Sequence, residues 1–397
     1  MRNRVLRRLV VLALLAGHVM ACGSRVENPP LGEGEGTFPT GSAFETYVQA
    51  VMTKRQIPGL ALAIVSKNGP VYMRAFGYRD LEERLPVTLR THFAIGSVTK
   101  SFTATLAGML VDKGSIGWDT PLRTYDPGFT LADPAAAAAV TFRDLLCHRT
   151  GVGRHDELWE KQHLSREEIY ERVKTLSFDH PFRSTFEYNN NMFMVAGHLY
   201  GRAAGDSWEN LVTNRLLRPL GMNETTVSAD GLNATPDHAL PYGMNLVGKL
   251  EAHAVFNSDN IAPAGAINSN LVELIRWLRF QLAGGVTPDG NRLISVASFD
   301  ETHKPNILVS PQSTAEIGEA QYGLGWALSR YRGQRLITHD GKVSGYQAHI
   351  SYLPDEGRGV VILMSSNGLP AQWLGFDVYD QLLGVSTPAQ WSLQDVP

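Results

Sequence analysis

The chain has 397 residues, 43% of them hydrophobic and 19% charged, with two cysteines and a formal net charge of −3. That composition excludes an intrinsically disordered chain, and two cysteines exclude a disulfide scaffold. Leaving out Arg2, Arg4, Arg7 and Arg8, which precede any acidic residue, takes the net charge from −3 to −7. A mildly acidic body lacks the basic footprint of a nucleic-acid binder.

Residues 1–8 are basic, and an apolar run follows over residues 9–16. The run is too short to span a bilayer and has the layout of an export signal covering residues 1–22. Val19-Met20-Ala21-Cys22 resembles a bacterial lipobox. It implies cleavage before Cys22, lipidation of its thiol and attachment to a membrane in the periplasm or cell envelope. Without lipidation the protein is secreted. Residues 23–40 are rich in Gly, Pro and Glu and read as a flexible tether. The folded domain is expected over residues 41–385, with a tail over 386–397.

Apolar positions at helical spacing predict a helix over residues 44–52. Residues 60–65 and 71–76 are apolar runs around Asn68-Gly69, the signature of a β-hairpin. Residues 97–112 read as a helix that stops at Gly114. The alanine run 135–139 reads as a surface loop or helix. Thr141 with Asp144, and Ser165 with Glu168, have the spacing of capping boxes. Asn270 opens a helix with Leu271, Leu274, Ile275, Leu278 and Leu282 on one face, ended by Gly284-Gly285. Three more strands are expected over 335–339, 346–353 and 359–364, the first of them an edge strand, before a last helix near 373–383. The fold class is therefore α+β. An antiparallel sheet from both chain ends packs with terminal helices, and a mostly helical region is inserted between its second and third strands. A crevice between two such parts is a natural place for a site.

Ser97-Val98-Thr99-Lys100 is a S-x-x-K at a helix start. Residues three apart share a helix face, so Lys100 can reach the Ser97 hydroxyl. A serine needs a base to become a nucleophile, and a desolvated lysine can be one. The helix N-terminus adds backbone N–H groups for a developing oxyanion. Alone the motif is weak, since it turns up by chance about once in a chain this long. Two more elements join it: the Y-x-N of Tyr188-Asn189-Asn190, and His339-Asp340-Gly341 at the end of a predicted strand.

With these three motifs in this order, the chain resembles the serine β-lactamase and penicillin-binding-protein-like hydrolases, specifically their class C β-lactamase-related branch. The resemblance covers residues 41–385 and is supported by residues 93–100, 145–151, 219–222, 263–266 and 322–326. It implies a β-lactamase/transpeptidase-like fold and an acyl-enzyme on Ser97. Lys100 would be base or proton relay, and Tyr188 a second relay to the leaving group and to deacylating water. Asn190 would hydrogen-bond the substrate amide or hold Lys100. The amides of Ser97 and Lys342 would form the oxyanion hole, and His339 and Gly341 would line the substrate strand. His339 stands where class C β-lactamases usually have the lysine of K-T-G, which argues against efficient β-lactam hydrolysis. The branch includes esterases and D-amino-acid peptidases. His148 and Thr150 lie in a loop that often borders the family's site, with structural capping as their expected role. Cys147 reads as a buried small hydrophobe. A small-molecule or peptide substrate is implied, and no metal or organic cofactor.

A G-x-S-x-G elbow, zinc-ligand spacing such as H-E-x-x-H, and G-x-G-x-x-G or P-loop patterns are all missing from the sequence. The alternative from another class is a relative that binds peptidoglycan or peptides without turnover. Such proteins usually lose the nucleophile or its lysine, whereas Ser97, Lys100 and Tyr188 are all present here.

Overall fold

The computed structural model describes residues 42–160 and 164–394. The proposed signal, Cys22 and the tether lie outside the described residues.

Asn68-Gly69 turns the chain between strands Gly59–Ser66 and Gly69–Asp80, as the alternation around that dipeptide predicts. From the other end of the chain come Gln334–Val343, Tyr346–Leu353 and Arg358–Met364. Gly59–Ser66 pairs antiparallel with Arg358–Met364, Leu62 opposite Ile362, so the two chain ends meet in mid-sheet.

Among the described residues the sheet has nine strands rather than five. Leu85–Pro86 extends one side, and Ile307–Ser310, Ala320–Tyr322 and Ala327–Tyr331 extend the other. The strand carrying His339 is therefore not an edge strand along its first half, where residues 334–338 pair with Ala327–Tyr331. It also does not end at His339. Residues 339–343 continue to pair with Tyr346–Leu353 on one side, while the Ala327–Tyr331 pairing has stopped. An edge exists, but it is confined to these five residues.

The central strands are buried on both faces. Leu60, Leu62 and Ile64 point into a core shared with Phe44, Val48 and Val51 of helix Ser42–Arg55 and with Leu374 and Val378 of helix Ala371–Leu382. Ala61, Ala63 and Val65 alternate to the opposite face and join the larger core of the helical region. Trp391 Nε1 donates to the Tyr331 hydroxyl (2.9 Å) and Ser392 N to Asp377 Oδ2 (3.0 Å), so the segment after the last helix folds back onto the body.

The helical region is built around Thr99–Asp112, which is buried nearly all round rather than on one stripe. Its polar side chains are satisfied locally or by neighbours: Ser101 Oγ donates to Val98 O and Thr103 Oγ to Pro263 O, both at 2.7 Å. Both capping boxes form. The alanine run is the helix Pro134–Ala139, whose Ala136 and Ala137 are buried in the core rather than lying on the surface. No helix among the described residues is long and apolar enough to cross a membrane.

Candidate active site

Ser97 sits in a one-turn 3₁₀ segment, Gly96–Val98, that leads into helix Thr99–Asp112. This turn packs against the free stretch of the 339–343 strand. A Cβ on Gly341 would stand 1.8 Å from the Ile95 carbonyl oxygen and 3.1 Å from the Ser97 amide nitrogen. A Cβ on Gly96, whose φ is +50°, would stand 2.8 Å from the Lys342 nitrogen. Only glycine allows the two backbones to come this close. Their approach brings the amides of Ser97 and Lys342 to one wall of the site.

Lys100 lies one helical turn beyond Ser97 and is fully buried. Its Nζ is 3.0 Å from Ser97 Oγ, 2.8 Å from Asn190 Oδ1 and 2.8 Å from the Ala264 carbonyl oxygen. Burial pushes its pKa well below the ordinary lysine value; Asp156 opposes that shift and Arg154 adds to it. A neutral amine has two N–H groups and one lone pair. Asn190 Oδ1 and Ala264 O can only accept, so they take the two N–H groups. In the deprotonated form of Lys100 the lone pair is then left to face the Ser97 hydroxyl. Asn190 is oriented in turn by Asp156, whose Oδ1 lies 3.4 Å from its Nδ2 and accepts from Trp159 Nε1 at 2.8 Å. Arg154 donates to the other Asp156 oxygen from Nε (2.9 Å) and Nη2 (2.6 Å).

Tyr188 precedes helix Asn190–Ala204, whose N-cap Asn189 accepts from Met192 N. The Lys100 ammonium position is 4.8 Å from the Tyr188 ring centroid, and the Arg154 guanidinium 5.5 Å on. Loss of water holds the phenol pKa above its ordinary value, and a hydrogen bond with Ser97 partly offsets that rise. Tyr188 therefore keeps its proton at neutral pH.

His339 is brought to the neighbourhood but not to the cavity. It is 6% exposed, its Nε2 accepts from the Tyr322 hydroxyl at 2.8 Å, and its Nδ1 donates to Asp340 O at 2.7 Å. Burial, with the Lys100 charge second, lowers its pKa to about 4. It is a neutral imidazole buried on the side of Tyr322 and Lys100. Cys147 is fully buried, and burial pushes its thiol up to about 12.

Ser97 opens onto a cavity of about 370 Å³. Asn190 and Lys342 line it. Trp159, Phe256 and Ile261 are its large apolar lining residues, and Glu160 and Lys342 its ionisable ones. The sequence reading missed Asp156, Trp159 and Phe256. Residues 154–159 carry no pattern that separates them from an ordinary polar loop. Ala264 fell in a segment noted for its resemblance, but a backbone carbonyl leaves no side-chain signal.

Residues 44–375 match the family model described as Beta-lactamase. The chain is 28% identical over 372 residues to Unguisins hydrolase ungD of Aspergillus violaceofuscus, covering 87% of this chain and 65% of that protein. It thus spans just under two thirds of that relative's length. It is 29% identical over 351 residues to Penicillin-binding protein 4 of Amycolatopsis lactamdurans, covering 84% of this chain and 87% of that protein. The structure of the octameric penicillin-binding protein homologue from Pyrococcus abyssi superimposes with a TM-score of 0.75 at 25% identity, covering 86% of this chain and 77% of that one.

Proposed function

The chain belongs to the beta-lactamase family, and from that premise we propose that it is a serine hydrolase of the class C-related branch, cleaving an ester or amide through an acyl-enzyme on Ser97. The observation that carries this reading is the buried Lys100, its Nζ 3.0 Å from Ser97 Oγ and its pKa pushed well below the ordinary lysine value by burial.

As Ser97 Oγ bonds to the substrate carbonyl carbon, its proton passes to Lys100 Nζ. The carbonyl oxygen becomes an oxyanion that accepts hydrogen bonds from the amides of Ser97 and Lys342. When the carbonyl re-forms, the bond to the leaving group breaks. Tyr188 gives its proton to the departing oxygen or nitrogen and regains one from the Lys100 ammonium. Water then attacks the acyl-enzyme by the same route in reverse. Asn190 holds Lys100 and leaves its amide at the cavity wall. His339 supports the strand through Tyr322, while Gly341 lets it lie against the Ser97 turn. The apolar wall of Trp159 and Phe256 favours an uncharged, bulky acyl group or side chain, as in an esterase or a D-amino-acid peptidase. A neutral, buried His339 offers no charge to a β-lactam carboxylate, which speaks for β-lactam hydrolysis as at most a weak side activity. The basic and apolar sequence of residues 1–22 supports export, with lipidation at Cys22.

Lys100→Met tests the base. Acylation by p-nitrophenyl acetate, followed by stopped flow, is expected to slow by about 10²–10⁴-fold in a protein that still folds. In the native protein the acylation rate falls as pH drops through the depressed Lys100 pKa, because protonation removes the lone pair. The variant should lack that limb. An unchanged acylation rate would place the base elsewhere.

A further inference from the structure

We infer that His148 is the positioning residue for Tyr188, gripping the chain on both sides of the proton relay. The inference rests on the assignment of Tyr188 as that relay. Three contacts to three consecutive residues carry it. The His148 carbonyl oxygen accepts from Glu187 N at 2.8 Å. Its Nδ1 accepts from Asn189 N at 3.0 Å. Its ring lies against the Tyr188 ring between them, centroids 4.3 Å apart and planes 37° apart.

The Asn189 bond fixes the tautomer. An amide N–H only donates, so Nδ1 carries no proton and Nε2 does. Burial, with the Lys100 charge second, keeps the ring neutral, well below the ordinary histidine pKa. That Nε2–H is buried without a hydrogen-bond partner among the described residues. Its surroundings are aromatic: Phe193 and Tyr322 each have their ring centroid 5.0 Å away, and Phe186 lies at 5.5 Å. The backbone of His148 is also in the left-handed region, with φ of +61°, where residues other than glycine are uncommon. Both features are costly in a fold. Both occur at one residue, and its ring and carbonyl meet the Tyr188 segment on three sides. An apolar ring would fill the same space at lower cost, but it has no acceptor for the Asn189 amide. What the histidine adds is the fixed direction of Tyr188, and hence the direction of its proton toward the leaving group.

The relay matters most when the leaving group is a strong base, since a stable leaving anion departs unprotonated. The test uses the full chain with p-nitrophenyl acetate and phenyl acetate. His148→Gly keeps the left-handed backbone and the carbonyl contact but removes the ring. His148→Asn, which also tolerates this backbone, is read in its place if the glycine variant does not fold. The expected result is a loss in kcat/KM, which reports acylation and not hydrolysis of the shared acetyl-enzyme, of about 10²-fold on phenyl acetate and a several-fold smaller loss on p-nitrophenyl acetate. Combined with Tyr188→Phe, the variant should cause no further loss on phenyl acetate. Equal losses on both esters, or losses that multiply in the double variant, would overturn the inference. If Tyr188→Phe itself leaves the ratio of the two esters unchanged, the relay assignment fails, and the role of His148 with it.

Discussion

His339 illustrates how far one environment can move one residue. It sits at the position that suggested a group lining the substrate strand, yet it is 6% exposed and held between Tyr322 and the Asp340 carbonyl. Its pKa of about 4 in the folded state lies below the ordinary value of 6.5. Between those values the unfolded chain binds more protons than the folded one, so stability rises with pH across that window and is lost as pH falls from about 6.5 to about 4. The full effect is on the order of 3 kcal/mol. His339→Gln should flatten this part of the unfolding free energy measured by denaturant between pH 7 and 4. Identical slopes in the two proteins would show that the ring is not held neutral. Legibility at this scale was uneven. Ser97, Lys100 and Tyr188 were readable because their spacing is itself the chemistry. Asp156, which orients Asn190 and Trp159 together, was not, because its meaning lies in contacts made 34 residues along the chain.

At the scale of the element, the site depends on a strand and a turn that touch through glycine. The stretch 339–343 is paired on one side only, which leaves its outer edge beside Ser97. Gly341→Ala would force a methyl group to within 1.8 Å of the Ile95 carbonyl oxygen. The turn and strand must then part. The variant should lose about 1–3 kcal/mol in unfolding free energy and acylate more slowly, because the Ser97 and Lys342 amides move apart. Alanine at wild-type stability and rate would contradict the close approach. The elements that carried their own signals were legible: the Asn-Gly hairpin, the two capping boxes and the helix opened by Asn270 all form. The strands Ile307–Ser310, Ala320–Tyr322 and Ala327–Tyr331 were not, since none exceeds five residues and their burial is mixed. Their pairing is decided by the neighbouring strand, and missing them turned an interior strand into an apparent edge.

For the whole molecule, a sheet closed by its own two chain ends gives the helical region a rigid base. The β-lactamase/transpeptidase-like fold sets the turn bearing Ser97 against strands of that sheet, and the helix bearing Lys100 against the helix bearing Asn190. Three segments far apart in sequence then converge on a cavity of about 370 Å³. This arrangement was legible from strands clustering at both ends of the sequence, whereas the shape of the cavity was not, because Trp159 and Phe256 meet only after folding. The proposed chemistry passes through an acyl-enzyme on Ser97. The most direct test is intact mass after acid quench of the protein mixed briefly with p-nitrophenyl acetate, beside Ser97→Ala. The expected result is one acetyl group, mapped to the Ser97 peptide and absent from the variant, whose turnover falls by at least about a thousandfold at unchanged unfolding midpoint. Turnover in Ser97→Ala within tenfold of the native protein, or an acetyl group on another residue, would contradict it.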